Sequence, residues 1–266
     1  MDLTITVDVE KDVGAVETCY GIDEGLPVIL EIMRQLNVKG TFFISGEILD
    51  YLEKTNSLKS IIDDNHEIAS HGYRHLDYRE WSEQRIADEI NLSITEIEQR
   101  TGIKVAGYRS PQFRVNERVI KVIKQIGLKY DSSIPDDKGF SAASLLRGVK
   151  FDPEFVNGIS DDNFREFIID SVPTIGIPHG MFWINFLGFN LYKYFFKKFN
   201  KKHVVLYMHP FDFISYKSRV KCPTLLENIL YPFREDKIPA LFENMLSFYK
   251  KEKVDFVTLE EKIKEP

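Results

Sequence analysis

Cysteine is nearly absent: Cys19 and Cys222 are the whole complement of the 266-residue chain. Far apart in sequence, they form neither a disulfide framework nor one of the close spacings that bind a structural metal. Long apolar runs are missing too, and no stretch reaches the ~18 consecutive apolar residues of a membrane span. The first ten residues, Met1 to Glu10, enter a strand at once, without basic leader, apolar core or cleavage site, so a cytoplasmic location is expected. No Gly/Ser-rich or Pro-rich linker, repeat or low-complexity segment interrupts the chain, and residues 1–266 read as one domain. Positive charge is not in excess. The formal net charge is −6 with both signs interspersed, which removes the electrostatic footprint of a nucleic-acid binder. Nothing in the sequence sets an oligomeric state.

What is present is a large apolar fraction, 43% hydrophobic with 13% aromatic, arranged as alternating strand and helix patterns. Strands are expected at residues 3–9, 39–45, 66–70, 104–111, 128–134, 202–210 and 254–261. Between them come helical patterns at 24–36, 47–62, 82–100, 117–127 and 239–252. Ile86, Ile90, Ile94 and Ile97 make one stripe of the third helix, and Asn116 can cap the fourth, which stops at Gly127. The segment from Pro135 to Lys202 breaks the rhythm and is irregular and aromatic. Repeated βα units imply a parallel sheet. Chain length and unit count favour a distorted or incomplete (β/α) barrel of the TIM type.

Unusual polar residues fall where strands end. Asp8 and Glu10 close the first strand, His71 and His75 follow the third, and Arg109, Asp131 and His209 follow later ones. In a parallel barrel those carboxyl ends form one rim, where reacting groups collect. Thr4, Thr6, Asp8 and Glu10 share a strand face. Adjacent carboxylates repel unless a cation, a proton or a hydrogen-bond donor sits between them. His71 and His75, in His-Gly-Tyr-Arg-His, have a spacing that can present both to one metal in a turned segment, although surface histidines share it. With the carboxylates nearby, a His/His/carboxylate site is the better reading. It leaves positions open for water and substrate and suits one divalent ion, zinc, cobalt, iron, manganese or nickel, without discriminating among them.

Taken in order, these motifs resemble the polysaccharide deacetylase family, the NodB-homology domain of carbohydrate esterase group 4. The likeness runs from Thr-Val-Asp-Val-Glu (6–10), through His71-Gly-Tyr-Arg-His75, Arg109-Ser-Pro111, Asp131 and Leu206-Tyr-Met-His209, to the C-terminal Phe-Val-Thr-Leu-Glu-Glu. The first motif is similar to the family's D-V-D/D-V-E branch. Gly72 stands where a hydroxyl residue is usual, Glu10 has a longer arm than the usual Asp, and Gln112-Phe113 replace a frequent tyrosine.

The resemblance implies an N-acyl amino-sugar hydrolase with Asp8 as general base and Glu10, His71 and His75 as metal ligands. It implies that a backbone N–H just after Pro111, near Gln112, holds the oxyanion. His209 would protonate the departing amine, Asp131 would hold that imidazole cationic, and Arg109 would keep Asp8 ionised. His179, in the irregular segment where the family builds pocket walls, is a candidate substrate contact. The substrate would be an N-acylated amino sugar or glycan, soluble or lipid-linked. Related reactions are deformylation of a lipid-linked aminosugar and metal-free hydrolysis of a cyclic amide or imidate, as in allantoinase-like enzymes. Glu10, His71 and His75 speak against the metal-free case, and Asp8 and His209 against an inactive sugar-binding module.

The other polar groups read as structural: His66 beside a strand, His203 facing solvent, and Asp63 with Asp64 in a solvated turn. Residues 181–202 are aromatic on nearly every face and end in lysines. They suit a helix packed on the barrel or an interfacial helix making peripheral membrane contact at the inner membrane face.

Overall fold

The first strand sets the frame of the protein. In β1 (Asp2–Val9) every residue after Asp2 is buried, polar and apolar alike. Such a strand lies inside a parallel sheet covered on both sides. The computed structural model describes residues 1–12, 18–136, 153–214 and 237–265. Around β1 run β2 (Gly40–Ile44), β3 (Glu67–Ser70), β4 (Gly107–Tyr108), β5 (Tyr130–Asp131), β6 (Arg165–Glu166) and β7 (His203–Met208). Their spatial order is β6-β5-β4-β3-β2-β1-β7, and every pair is parallel. The expected distorted barrel is therefore present, open between β6 and β7.

Strand alternation sorts the side chains. Phe43, Ala69, Tyr130, Phe167, Val205 and Leu259 pack together inside the curled sheet. Thr41, Thr4 and Thr6 point the same way, through bonds to Glu67, His203 and Arg109. A Cβ at Gly107 would lie 1.8 Å from the Tyr130 ring, so only glycine lets that ring fill the interior. The alternate residues Ile5, Val7, Phe42, Ile44 and Ile68 join the main core with the helices.

The helices follow local rules. α1 (Leu26–Gln35) starts after a π turn at Gly21–Gly25. The helix expected over 47–62 is broken into α2 (Leu49–Lys54) and α3 (Ser57–Asp63) by Asn56, at φ +58. Asn tolerates that left-handed conformation at little cost. Ser82 caps α4 (Glu83–Thr101), and Asn116 caps α5 (Glu117–Gln125). The segment expected to be irregular holds α6 (Pro153–Ile159), β6, α7 (Met181–Leu187) and α8 (Phe189–Phe196). α9 (Ile238–Lys251) appears as expected. The expected last strand shrinks to β8 (Asp255–Phe256) on β1, because Thr258 and Glu261 form a capping box that starts α10 (Leu259–Lys264). Among the described residues no helix is long and apolar enough to cross a membrane. Cys222 lies outside the described residues.

Side chains close the gap beside β7. The Asp170 carboxylate accepts the Val205 N–H at 2.7 Å, and His179 Nδ1 donates to the Val205 carbonyl at 2.9 Å. Backbone bonding resumes where Tyr207 N–H donates to the His179 carbonyl at 3.1 Å. Lys201 completes the charge at Asp170. Asp170→Ala strips an acceptor from a buried N–H and a partner from Lys201. It is expected to lower unfolding free energy by roughly 2–4 kcal/mol, measured by urea denaturation. A loss within about 0.5 kcal/mol would contradict this closure.

Candidate active site

The inward-facing parity of each strand carries its residues to one rim. Asp8 and Glu10 continue the face of Thr4 and Thr6, and His71, Arg109 and His209 sit on the inner faces of their own strands. At the centre lies Arg109, with no exposed surface. Its Nη1 donates to Asp8 Oδ1 at 2.6 Å and Thr6 Oγ1 at 2.9 Å, its Nε to the Ser132 carbonyl at 2.8 Å, and its Nη2 to Ser132 Oγ at 3.0 Å. The guanidinium stacks 4.1 Å from the Phe43 ring. Asp8 Oδ2 faces outward, 3.8 Å from His209 Nε2.

Beside this pair stand Glu10, His71 and His75, whose donor atoms lie within 4.8 Å of one another. Glu10 Oε2 is 3.0 Å from His71 Nε2 and 2.7 Å from His75 Nε2. His71 Nδ1 lies 2.9 Å from the Arg109 carbonyl, which can only accept. The ring hydrogen of a neutral His71 is therefore on Nδ1, and the Nε2 lone pair faces the carboxylate. Two acceptors at that distance require a proton or a cation between them, so the donor set fits a divalent ion. Burial alone would push the Glu10 carboxyl up, but the contacts with His71 and His75 and the charge of His75 and His209 hold it well below the usual carboxylate range. Burial works against a charged His75, and Glu10 more than offsets it. Gly72, at φ +76, turns the loop that returns His75 to Glu10; a Cβ there would meet the Tyr78 hydroxyl at 2.4 Å. Glu47 Oε1 accepts the His75 N–H at 3.3 Å and fixes the loop further.

His209 differs from expectation in its partner. Asp212 Oδ2 accepts the His209 backbone N–H at 2.9 Å and lies 3.5 Å from its Nδ1. Burial lowers the affinity of His209 for a proton, but Asp212, with Glu10 and Asp8 behind it, raises it above the ordinary value. The ring also stacks on Phe211, centroids 4.5 Å apart. Asp212 escaped the sequence reading, although a carboxylate three residues beyond a rim histidine is a usable signal.

The expectation that Asp131 holds His209 is corrected. Tyr130 fills the barrel interior, so Asp131, the next residue, points to the outer face. There it meets Glu166, its register partner on β6, and Ser133. Ser133 Oγ donates to Asp131 Oδ1 at 2.7 Å and accepts the Ser110 N–H at 2.7 Å. Asp131 therefore anchors the turn that carries Pro111 and Gln112. In that turn Gln112 and Phe113 both have positive φ, +55 and +56. Successive left-handed non-glycine residues store strain of the kind that collects at functional sites. The turn closes through the N–H groups of Phe113 and Arg114, leaving that of Gln112 out.

His179 is also corrected as a substrate contact. It is fully buried, with Nδ1 on the Val205 carbonyl and Nε2 2.7 Å from the Tyr192 hydroxyl. Burial pushes its pKa down to about 4, so it is neutral. It caps the open edge of β7. His66 is structural as expected, accepting the Gly40 N–H at 3.2 Å. His203, expected to face solvent, bonds Thr4 Oγ1 at 2.8 Å inside the barrel.

Residues 6–130 match the family model described as polysaccharide deacetylase, which bears out the resemblance drawn from the motifs. A peptidoglycan deacetylase-like protein of Gibberella zeae is 31% identical over 112 residues, covering 41% of this chain and 32% of that protein. The peptidoglycan deacetylase of Helicobacter pylori is 26% identical over 110 residues, 41% of this chain and 37% of its own. The chain thus spans about a third of the length of the curated relatives it matches. A family 4 acetyl xylan esterase from Clostridium thermocellum, solved with a cobalt ion, superposes with a TM-score of 0.57 at 14% identity, over 98% of this chain and 89% of that one. A family 4 pseudoenzyme from Bacillus anthracis gives 0.59 at 16% identity, over 98% of this chain and 65% of that one. An esterase and a pseudoenzyme sharing one fold show that the likeness carries the fold alone.

The buried Asp131–Glu166 pair has a pH signature. Among the described residues no donor faces Glu166 Oε2, and burial beside Asp131 favours one proton shared by the two carboxyls. Burial raises Asp131 to about 6, and burial with the Asp131 charge raises Glu166 further. Stability from carboxyls raised in the fold is fully present below their ordinary pKa of ~4 and is lost as pH rises through the folded values. Glu166→Gln removes the shared proton. Relative to this variant, the wild type is expected to lose unfolding free energy from about pH 4 upward through pH 6, measured by urea titration. Parallel pH curves would contradict the shared proton.

Proposed function

We propose, on the premise that residues 6–130 carry the polysaccharide deacetylase pattern, that residues 1–266 act as one unit hydrolysing the N-acetyl group of an amino sugar. The observation that carries this reading is the convergence of Glu10, His71 and His75 beside the Asp8–Arg109 pair and His209 on one rim. Glu10, His71 and His75 would hold one divalent ion, with zinc the first to test. When bound, the ion polarises the amide carbonyl and acidifies the attacking water.

The chain's own groups do the rest. Asp8 takes the proton of the attacking water through Oδ2, while Arg109 occupies Oδ1 and orients the carboxylate. The Gln112 N–H, which the hydrogen bonds closing the turn do not use, donates to the oxyanion as it forms. His209, charged through Asp212, gives its Nε2 proton to the departing amine. The water adds to the carbonyl carbon, the C–N bond breaks, and acetate and a free amine leave. A metal-free hydrolase is disfavoured, because Glu10, His71 and His75 bring three ligand atoms within 4.8 Å of one another, a cluster such a reaction does not use.

The test is release of acetate and free amine from N-acetylglucosamine oligomers by the zinc-loaded protein. Asp8→Asn is expected to lower kcat by ~10²–10⁴. Asp212→Asn is expected to lower kcat by a smaller factor and to shift the alkaline limb of the pH–rate profile, where His209 loses its proton, to lower pH. Full activity in Asp8→Asn, or none in the wild type on any N-acyl amino sugar, would overturn the assignment.

A further inference from the structure

We propose that α7 and α8 form a docking surface for an anionic lipid bilayer beside the mouth of the site. The two helices meet at Gly188, at φ +85. Their inner side is the packed one: Met181, Ile184, Tyr192 and Phe196 are buried in the main core with β7 and α9. Their outer side carries Phe186, Leu191 and Tyr194, 52%, 47% and 59% exposed. Only Met1, Leu76 and Leu92 match them among the described large hydrophobics, so half of that exposed apolar set stands within residues 186–194.

Charge selects the occupant. Residues 181–202 contain Lys193, Lys197, Lys198, Lys201 and Lys202 and no acidic residue, in a chain of net charge −6. Lys201 is taken by Asp170 and Asp136, and Lys197 by Glu252. Lys193, Lys198 and Lys202 have no carboxylate partner among the described residues. Lys193 lies 4.7 Å over the Phe189 ring, and Lys198 lies 4.3 Å over the Tyr194 ring. An aromatic body with an ammonium at its edge places apolar surface at the acyl boundary and charge at the phosphates. Protein interfaces favour arginine and are depleted in lysine. This segment has five lysines and no arginine, which favours a membrane over a folded partner.

The surface is tied to the rim. Trp183 of α7 packs on the cluster of Phe113, Ile169 and Tyr207. Phe113 follows Gln112, and the Tyr207 ring lies 6.0 Å from that of His209. A bilayer under α7 and α8 therefore lies next to the rim, where an amino sugar on a lipid carrier would be presented. Docking itself does not depend on the hydrolase reading, and lipid binding is measured without turnover.

The experiment is flotation of the full-length protein with vesicles of phosphatidylcholine, with and without added phosphatidylglycerol. Wild type is expected to float with the anionic vesicles only and to be released by salt. The double variants Leu191→Ser/Tyr194→Ser and Lys193→Glu/Lys198→Glu are each expected to lose about tenfold or more of that binding, with thermal unfolding unchanged. The charge variant, altered only at lysines without a carboxylate partner among the described residues, keeps the test open should the apolar variant unfold. No flotation of wild type, or equal flotation of the folded variants, would overturn the proposal. Concentration-dependent self-association lost in Leu191→Ser/Tyr194→Ser, without lipid binding, would assign the patch to a second copy of the chain instead.

Discussion

The buried Arg109–Asp8 pair is the constraint around which the site is organised. A guanidinium without solvent is tolerable only when its charge is met and its donors are bonded. Asp8 meets the charge, and Thr6, Ser132 and the Ser132 carbonyl take further donors. These contacts tie β1 to the ends of β4 and β5 across the barrel. The Arg109 carbonyl also fixes the His71 tautomer, so one residue orients both the Asp8 carboxylate and the imidazole beside Glu10. The question raised by Asp8 and Glu10 on one strand face has a physical answer. Arg109 meets the charge of Asp8, and on the proposed reading a divalent ion between Glu10, His71 and His75 would meet that of Glu10.

Much of this was legible in the sequence because strand parity is a two-residue code. Glu10, His71, Arg109 and His209 each fall on the inner parity of their strands, and local order alone brings them together. The same code, applied one step further, excludes Asp131. Its neighbour Tyr130 fills the interior, so Asp131 faces outward, where it steadies the Ser110–Phe113 turn. The residue that does hold His209, Asp212, lies three positions away in a 3-10 turn, where strand parity no longer applies.

The stretch from 135 to 202 resisted reading for a different reason. Its order comes from single side chains bonding to backbone, such as Asp170 and His179 on Val205, rather than from periodic burial. Such contacts leave no repeating pattern. At the C-terminus the signal was present but outcompeted: Val-Asp-Phe-Val alternates like a strand, while Thr258 and Glu261 start a helix. α7 and α8 were visible as an aromatic, lysine-rich segment. The split at Gly188 and the sorting of inner from outer rings needed the structure.

The central claim is that Glu10, His71 and His75 bind one divalent ion. It is tested most directly by calorimetric titration of chelator-stripped protein with Zn²⁺ and Co²⁺, wild type beside His75→Ala. The account predicts one equivalent bound by wild type and an affinity at least ~100-fold weaker in the variant. No binding by the folded wild type, or equal binding by both proteins, would contradict it.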